Sequence, residues 1–114
     1  MATTNTHELT KIAETVITRT TPFQKMKGLM FTKPIQNEAH IFIHRQKKRH
    51  TYHMSFVFYP IDILFVDENT VIDIKKSFLP FSIYTPKKPA NKAIELPVHT
   101  VKKHNIHVGD TITH

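Results

Sequence analysis

The residues best placed to do chemistry are two carboxylates. Asp62 interrupts MSFVFYPIDILFVD, residues 54–67, which holds the longest apolar run of the chain. A charge inside such a run is costly unless it is paired or hydrogen-bonded, so Asp62 needs a specific partner. Glu95 is the second carboxylate set in an apolar pattern. A pair of carboxylates with shifted pKa values is the equipment of a hydrolase, so Asp62 and Glu95 are the catalytic candidates should the chain be one. The structural alternative is that Asp62 accepts backbone N–H groups, or pairs with Arg19 or Lys27, and fixes the turn after Pro60. Buried paired carboxylates are more often structural than catalytic. No nucleophile or oxyanion device is recognisable, so acyl or phosphoryl transfer has no support.

The nine histidines raise the question of a metal. His40 and His44 share a strand face, but four residues of strand span ~13 Å, too far for one ion. His104 and His107 could converge across a turn. There is no HExxH pattern and no Cys. No metal site and no cofactor are therefore assigned. Two glycines in the whole chain exclude a Gly-rich nucleotide loop.

A basic stretch, HRQKKRHTYH from His44 to His53, carries four Lys/Arg and three His in ten residues. Arg45, Lys47, Lys48 and Arg49, with Tyr52 as a stacking ring, are the candidates for weak single-stranded nucleic-acid binding. The alternative is a solvated face. The net charge of +7 favours anionic partners in general without naming one.

The elements that must position these groups are short and mostly extended. Residues 1–12 read as a flexible tail, and 13–114 as one β-rich domain. Residues 14–20 alternate as a half-buried strand. Thr21-Pro22 starts a short helix carrying Phe23, Met26, Leu29 and Met30, closed by Lys33-Pro34. Strands follow over 39–44, 51–58, 61–66 and 70–76. Asp67-Glu68-Asn69 folds the last two into an antiparallel hairpin. Residues 78–90 contain three prolines and read as an edge segment. Phe78, Phe81 and Tyr84 there either pack on a second copy or cover their own core. A strand at 93–96, a helical turn at 101–105 and a strand at 111–113 complete the chain. The expected class is mainly β (α+β): a small, partly closed β-barrel or two packed antiparallel sheets with one or two short helices. The lack of Cys fits a reducing cytoplasm, and no apolar leader or spanning segment is visible. A soluble cytoplasmic protein with no membrane partner is expected.

Four ordered patterns carry a resemblance. They are Gly28-Leu29-Met30, Met54 with Pro60-Ile61-Asp62-Ile63-Leu64-Phe65, Glu95-Leu96-Pro97, and Val108-Gly109-Asp110. In this order and spacing they resemble the family known as domain of unknown function 192, over about residues 15–113. The chain departs from the family pattern at Ala39-His40, His53, Phe56-Val57 and His99, so it reads as a divergent branch. The resemblance implies a compact β-rich domain and no agreed reaction, cofactor or catalytic residue. The function expected is a non-enzymatic module that binds a small ligand or a protein. Its ligand-pocket candidates are Gly28, Met30, Met54, Pro60, Asp62 and Glu95.

Overall fold

A computed structural model describes residues 4–20, 33–54 and 57–114. The helix expected over 21–33, with Gly28 and Met30, lies outside these residues, apart from Lys33.

Nine strands and two short helices are described. The strands are β1 (Thr6–Glu8), β2 (Thr15–Arg19), β3 (Glu38–Lys48), β4 (Tyr52–His53), β5 (Ile61–Asp67), β6 (Thr70–Phe78), β7 (Ile83–Tyr84), β8 (Ala90–Pro97) and β9 (Thr111–Thr113). The helices are α1 (Leu9–Ile12) and α2 (Thr100–Lys103). Seven strands form one sheet in the order β1-β9-β6-β5-β8-β3-β2. It curls as a half-barrel, and β4 and β7 form a separate two-stranded sheet. The mainly β architecture is the one expected from the sequence.

The core follows from strand parity. β5 is central, paired with β6 on one side and β8 on the other. Both its faces are covered, which is why its sequence is almost continuously apolar. Leu64 and Val66 point to one face, with Ile41, Ile94, Leu96, Leu9, Val101 and Ile106. Ile61, Ile63 and Phe65 point to the other, with Phe42, Phe78, Met54 and Tyr59. The first face is closed by α1 and α2. The second is packed against Tyr52 and Tyr84 of the small sheet.

The 61–78 hairpin forms as expected, with Glu68 in the left-handed turn conformation its position requires. Two differences have physical causes. Residues 4–12, expected within a flexible tail, are built into the domain: β1 pairs in parallel with β9, and Leu9 is fully buried. β3 continues through Lys48, because Lys48 pairs with Ala90 after a register shift. The basic stretch is therefore partly strand rather than loop. Of the strand expected over 51–58, Tyr52–His53 forms β4, residues 55–56 lie outside the described residues, and Met54 stays bonded to the segment before β7. Its N–H donates to Ser82 O, and its carbonyl accepts Phe81 N–H. Phe78 and Tyr84 cover their own core. Phe81 is exposed and meets Phe58 edge-on at 5.5 Å.

Candidate functional site

Asp62 is 1% exposed, and both its oxygens are used. Ser77 N–H donates to Oδ1 at 3.0 Å, and Val101 N–H donates to Oδ2 at 3.0 Å. One carboxylate therefore ties the end of β6 to the first turn of α2. Its described partners are backbone amides, as one of the structural alternatives held. Arg19, the other partner considered, is turned elsewhere. Lys27 lies outside the described residues.

Glu95 sits on the opposite face. The register sets Asp62 against Leu96 and Glu95 against Ile63 on adjacent strands. Successive strand residues face opposite ways, so the two carboxylates project to different sides of one sheet. They cannot flank a single scissile bond, which a hydrolase built on both requires.

On its own face Glu95 joins a polar cluster. His40 of β3 is directly opposite it across the β3–β8 ladder. Such neighbours have Cβ atoms ~5 Å apart. Arg19 of β2 donates to His40 Nδ1 from Nε at 3.3 Å and from a terminal nitrogen at 3.1 Å. A guanidinium can only donate, so Nδ1 carries the lone pair. The proton of neutral His40 is then on Nε2, which donates to Glu38 Oε2 at 3.1 Å. Burial lowers the His40 pKa; the bond to Glu38 opposes this and the Arg19 charge adds to it. Burial pushes the Glu95 carboxyl up to about 8, against the pull of the Arg19 charge. At neutral pH this side chain is largely a carboxylic acid, able to donate as well as accept. Burial, and to a smaller degree the Glu95 charge, raises the Tyr52 pKa.

Of the other ligand-pocket candidates, Met54 is a core residue of the same face as Glu95. Pro60 is half-buried beside Ile61. Gly28 and Met30 lie outside the described residues. The structure thus groups Met54 with Glu95 and separates both from Asp62. The sequence alone does not mark Arg19 and His40 as members of one site. Alternation placed His40 on a strand face, but only the β2–β3 pairing brings Arg19 to it.

The five nucleic-acid candidates have different surroundings. Tyr52 packs edge-on against Phe42 and Phe65, and its hydroxyl bonds His44. It is not presented for stacking on a base. Arg49 Nε donates to Pro86 O at 2.7 Å, and Lys47 pairs with Asp67. Arg45 and Lys48 are exposed on β3. Among the described residues, no group of three or more His, Asp or Glu is arranged to hold a metal. No helix there is long and apolar enough to cross a membrane.

Two hollows open on the α2 side. One, of about 400 Å³, lies over Asp62 and is bordered by Lys76, Ser77, His99, Lys102, Asn105 and His107, with Val101 and Ile106 beneath. The other, of about 390 Å³, is lined by Ile12, Asn37, Pro97, His99, Lys103 and His104, among others. His104 and His107 thus border different hollows.

The model of DUF192, described as an uncharacterized ACR, matches residues 2–114. A UPF0127 protein of Thermococcus sibiricus is 36% identical over 105 residues, covering 90% of this chain and 63% of that protein. One from Thermococcus kodakarensis is 30% identical over 109 residues, covering 94% and 65%. One from Pyrococcus abyssi is 39% identical over 88 residues, covering 75% and 73%. The chain spans a little under two-thirds of the first two relatives. Among solved structures, a proposed transcription regulator from Sinorhizobium meliloti shares the fold at TM-score 0.78 and 24% identity, covering 82% of this chain and 76% of that one. A protein of unknown function from Novosphingobium aromaticivorans does so at TM-score 0.78 and 24% identity, covering 84% and 71%. With its β half-barrel and its ordered sequence patterns, the chain belongs to the DUF192 family.

Proposed function

We propose that the protein is a non-enzymatic binding module whose small ligand is recognised at the Arg19–His40–Glu95 cluster. The observation that carries this reading is the placement of Glu95 opposite His40 on a buried, largely apolar face. Burying such groups costs several kcal/mol unless their surroundings compensate. Asp62 is compensated by main-chain amides, which serve architecture. The described groups around Glu95 and His40 are side chains, which can exchange partners with a ligand. A largely protonated Glu95 offers a donor and an acceptor, and Arg19 supplies a cation. Together they suit a small polar molecule bearing an amide or carboxylate.

The test is an NMR screen of small amides and carboxylic acids against the protein and against Glu95→Gln. Saturable shifts at the His40, Ile94 and Glu95 amides, lost or weakened in the variant, are expected. Binders that move only surface amides, or that bind the variant equally, overturn the reading.

A further inference from the structure

The hollow over Asp62 lies on the other side of the sheet and is independent of the Glu95 cluster. Its border carries two lysines, Lys76 and Lys102, and two imidazoles, His99 and His107. The one carboxylate in its lining, Asp62, has both oxygens occupied by amides of the hollow's own walls. Asp62 therefore holds the two walls in place, each of its oxygens accepting one wall amide. The next carboxylate toward His107 is Asp110, on the far side of its turn. It is taken up by the His107 amide, the Asn5 amide and the His7 ring. In the lining of the hollow, two lysines outnumber the one carboxylate.

Backbone strain converges on the same place. Ser77, His99 and Asn105 line the hollow with φ of 50°, 73° and 55°. Non-glycine residues rarely adopt this region, and such strain concentrates at ligand-binding positions. At His99 the left-handed backbone places an imidazole on the border of both hollows. A volume of about 400 Å³ exceeds what a bare anion needs and falls within the range of small-molecule sites. Val101 and Ile106 give it an apolar floor.

We infer that this hollow binds a small organic phosphate, its phosphoryl group held between Lys76, Lys102 and the two imidazoles and its carbon part resting on Val101 and Ile106. Phosphate oxygens suit lysine as a point charge and imidazole N–H as a directed donor. The test is an amide NMR titration of the full chain with phenyl phosphate and, separately, inorganic phosphate at low salt. Phenyl phosphate is expected to give saturable shifts at His99, Lys102, Asn105 and His107. It should bind at least about threefold more tightly than inorganic phosphate, through apolar contact. Lys76→Gln/Lys102→Gln should weaken it about five- to tenfold at an unchanged melting temperature. Non-saturable shifts, equal affinity for the two probes, or an unaffected double variant each overturn the inference. So do shifts of equal size along Arg45–Lys48, which mark non-specific attraction.

Discussion

Asp62 and Glu95 stand one strand apart and face away from each other. The β5–β8 register opposes Asp62 to Leu96 and Glu95 to Ile63, and the pleat does the rest. The two buried carboxylates thereby acquire different chemistry. Asp62 accepts from two main-chain amides. Glu95 stands opposite His40, and burial pushes its pKa up to about 8. The expectation of one cleft containing both gives way to two separate places.

Asp62→Asn tests the architectural role. The amide keeps one acceptor and turns an N–H₂ toward a second N–H donor, so one amide at Ser77 or Val101 loses its partner. The cost should be about 2–3 kcal/mol. For a domain of this size that lowers the melting temperature by roughly 10 °C. Circular-dichroism melting reads it, and amide exchange at Val101 should accelerate. A melting temperature within about 2 °C of the parent would show that the carboxylate does not hold these walls together.

Glu95 predicts an unusual pH dependence. Its folded pKa of about 8 lies above the ordinary 4.5, so between these values the folded state binds more protons than the unfolded state. Stability from this group is therefore full below about pH 4.5 and falls as pH rises toward 8, by a few kcal/mol at most. His40 acts in the opposite sense below its ordinary 6.5, since its folded pKa is lowered. Comparing Glu95→Gln with the parent isolates Glu95. The variant should gain stability relative to the parent at each step from pH 5 to 8 in urea melts. A constant difference across that range contradicts a raised Glu95 pKa.

The sequence exposes what is local and hides what depends on register. Asp67-Glu68-Asn69 made the 61–78 hairpin readable, because turn residues act within a few positions. The apolar run marked β5 as central and Asp62 as a buried charge needing partners. Those partners, the amides of Ser77 and Val101, are 15 and 39 residues away and carry no side-chain signature. Charge alone makes Arg19 a candidate partner of Asp62, yet parallel pairing of β2 with β3 delivers it to His40. Tyr52 looked available for stacking beside four cations. The fold turns it inward, because the aromatic face needs its ring. Leu9 in a polar segment gave no periodic signal, so the anchoring of β1 and α1 was not visible.

Arg19 couples the two titrating groups of the cluster. Its charge lowers the pKa of both Glu95 and His40. Arg19→Met should therefore raise both, shifting the two titration curves in the same direction. In the parent at neutral pH, long-range proton–nitrogen spectra should show His40 as the Nε2–H tautomer, because Nδ1 receives the guanidinium. Loss of these bonds should also cost about 1–2 kcal/mol. A parent Nδ1–H tautomer, or unmoved titrations in the variant, would contradict the arrangement.

The junction of β1 with β9 depends on Asp110, which is 2% exposed. Its Oδ2 accepts the His7 ring at 2.9 Å and the His107 amide at 2.9 Å, while Oδ1 accepts the Asn5 amide at 3.1 Å. Burial alone would raise its pKa. The bonds from the His7 ring and from the His107 and Asn5 amides outweigh it and hold the carboxyl below its ordinary 3.8. A lowered acid pKa stabilises the fold above 3.8, and that stability is lost as pH falls through the folded value. Asp110→Asn should abolish this acid-side loss and cost about 1–3 kcal/mol at neutral pH. The effect should also be local: amide exchange at Thr6–Glu8 should accelerate well before that of β5, since β1 is held at the sheet edge by β9. Equal acceleration in both strands would mean that Asp110 supports the whole sheet rather than the attachment of its first strand.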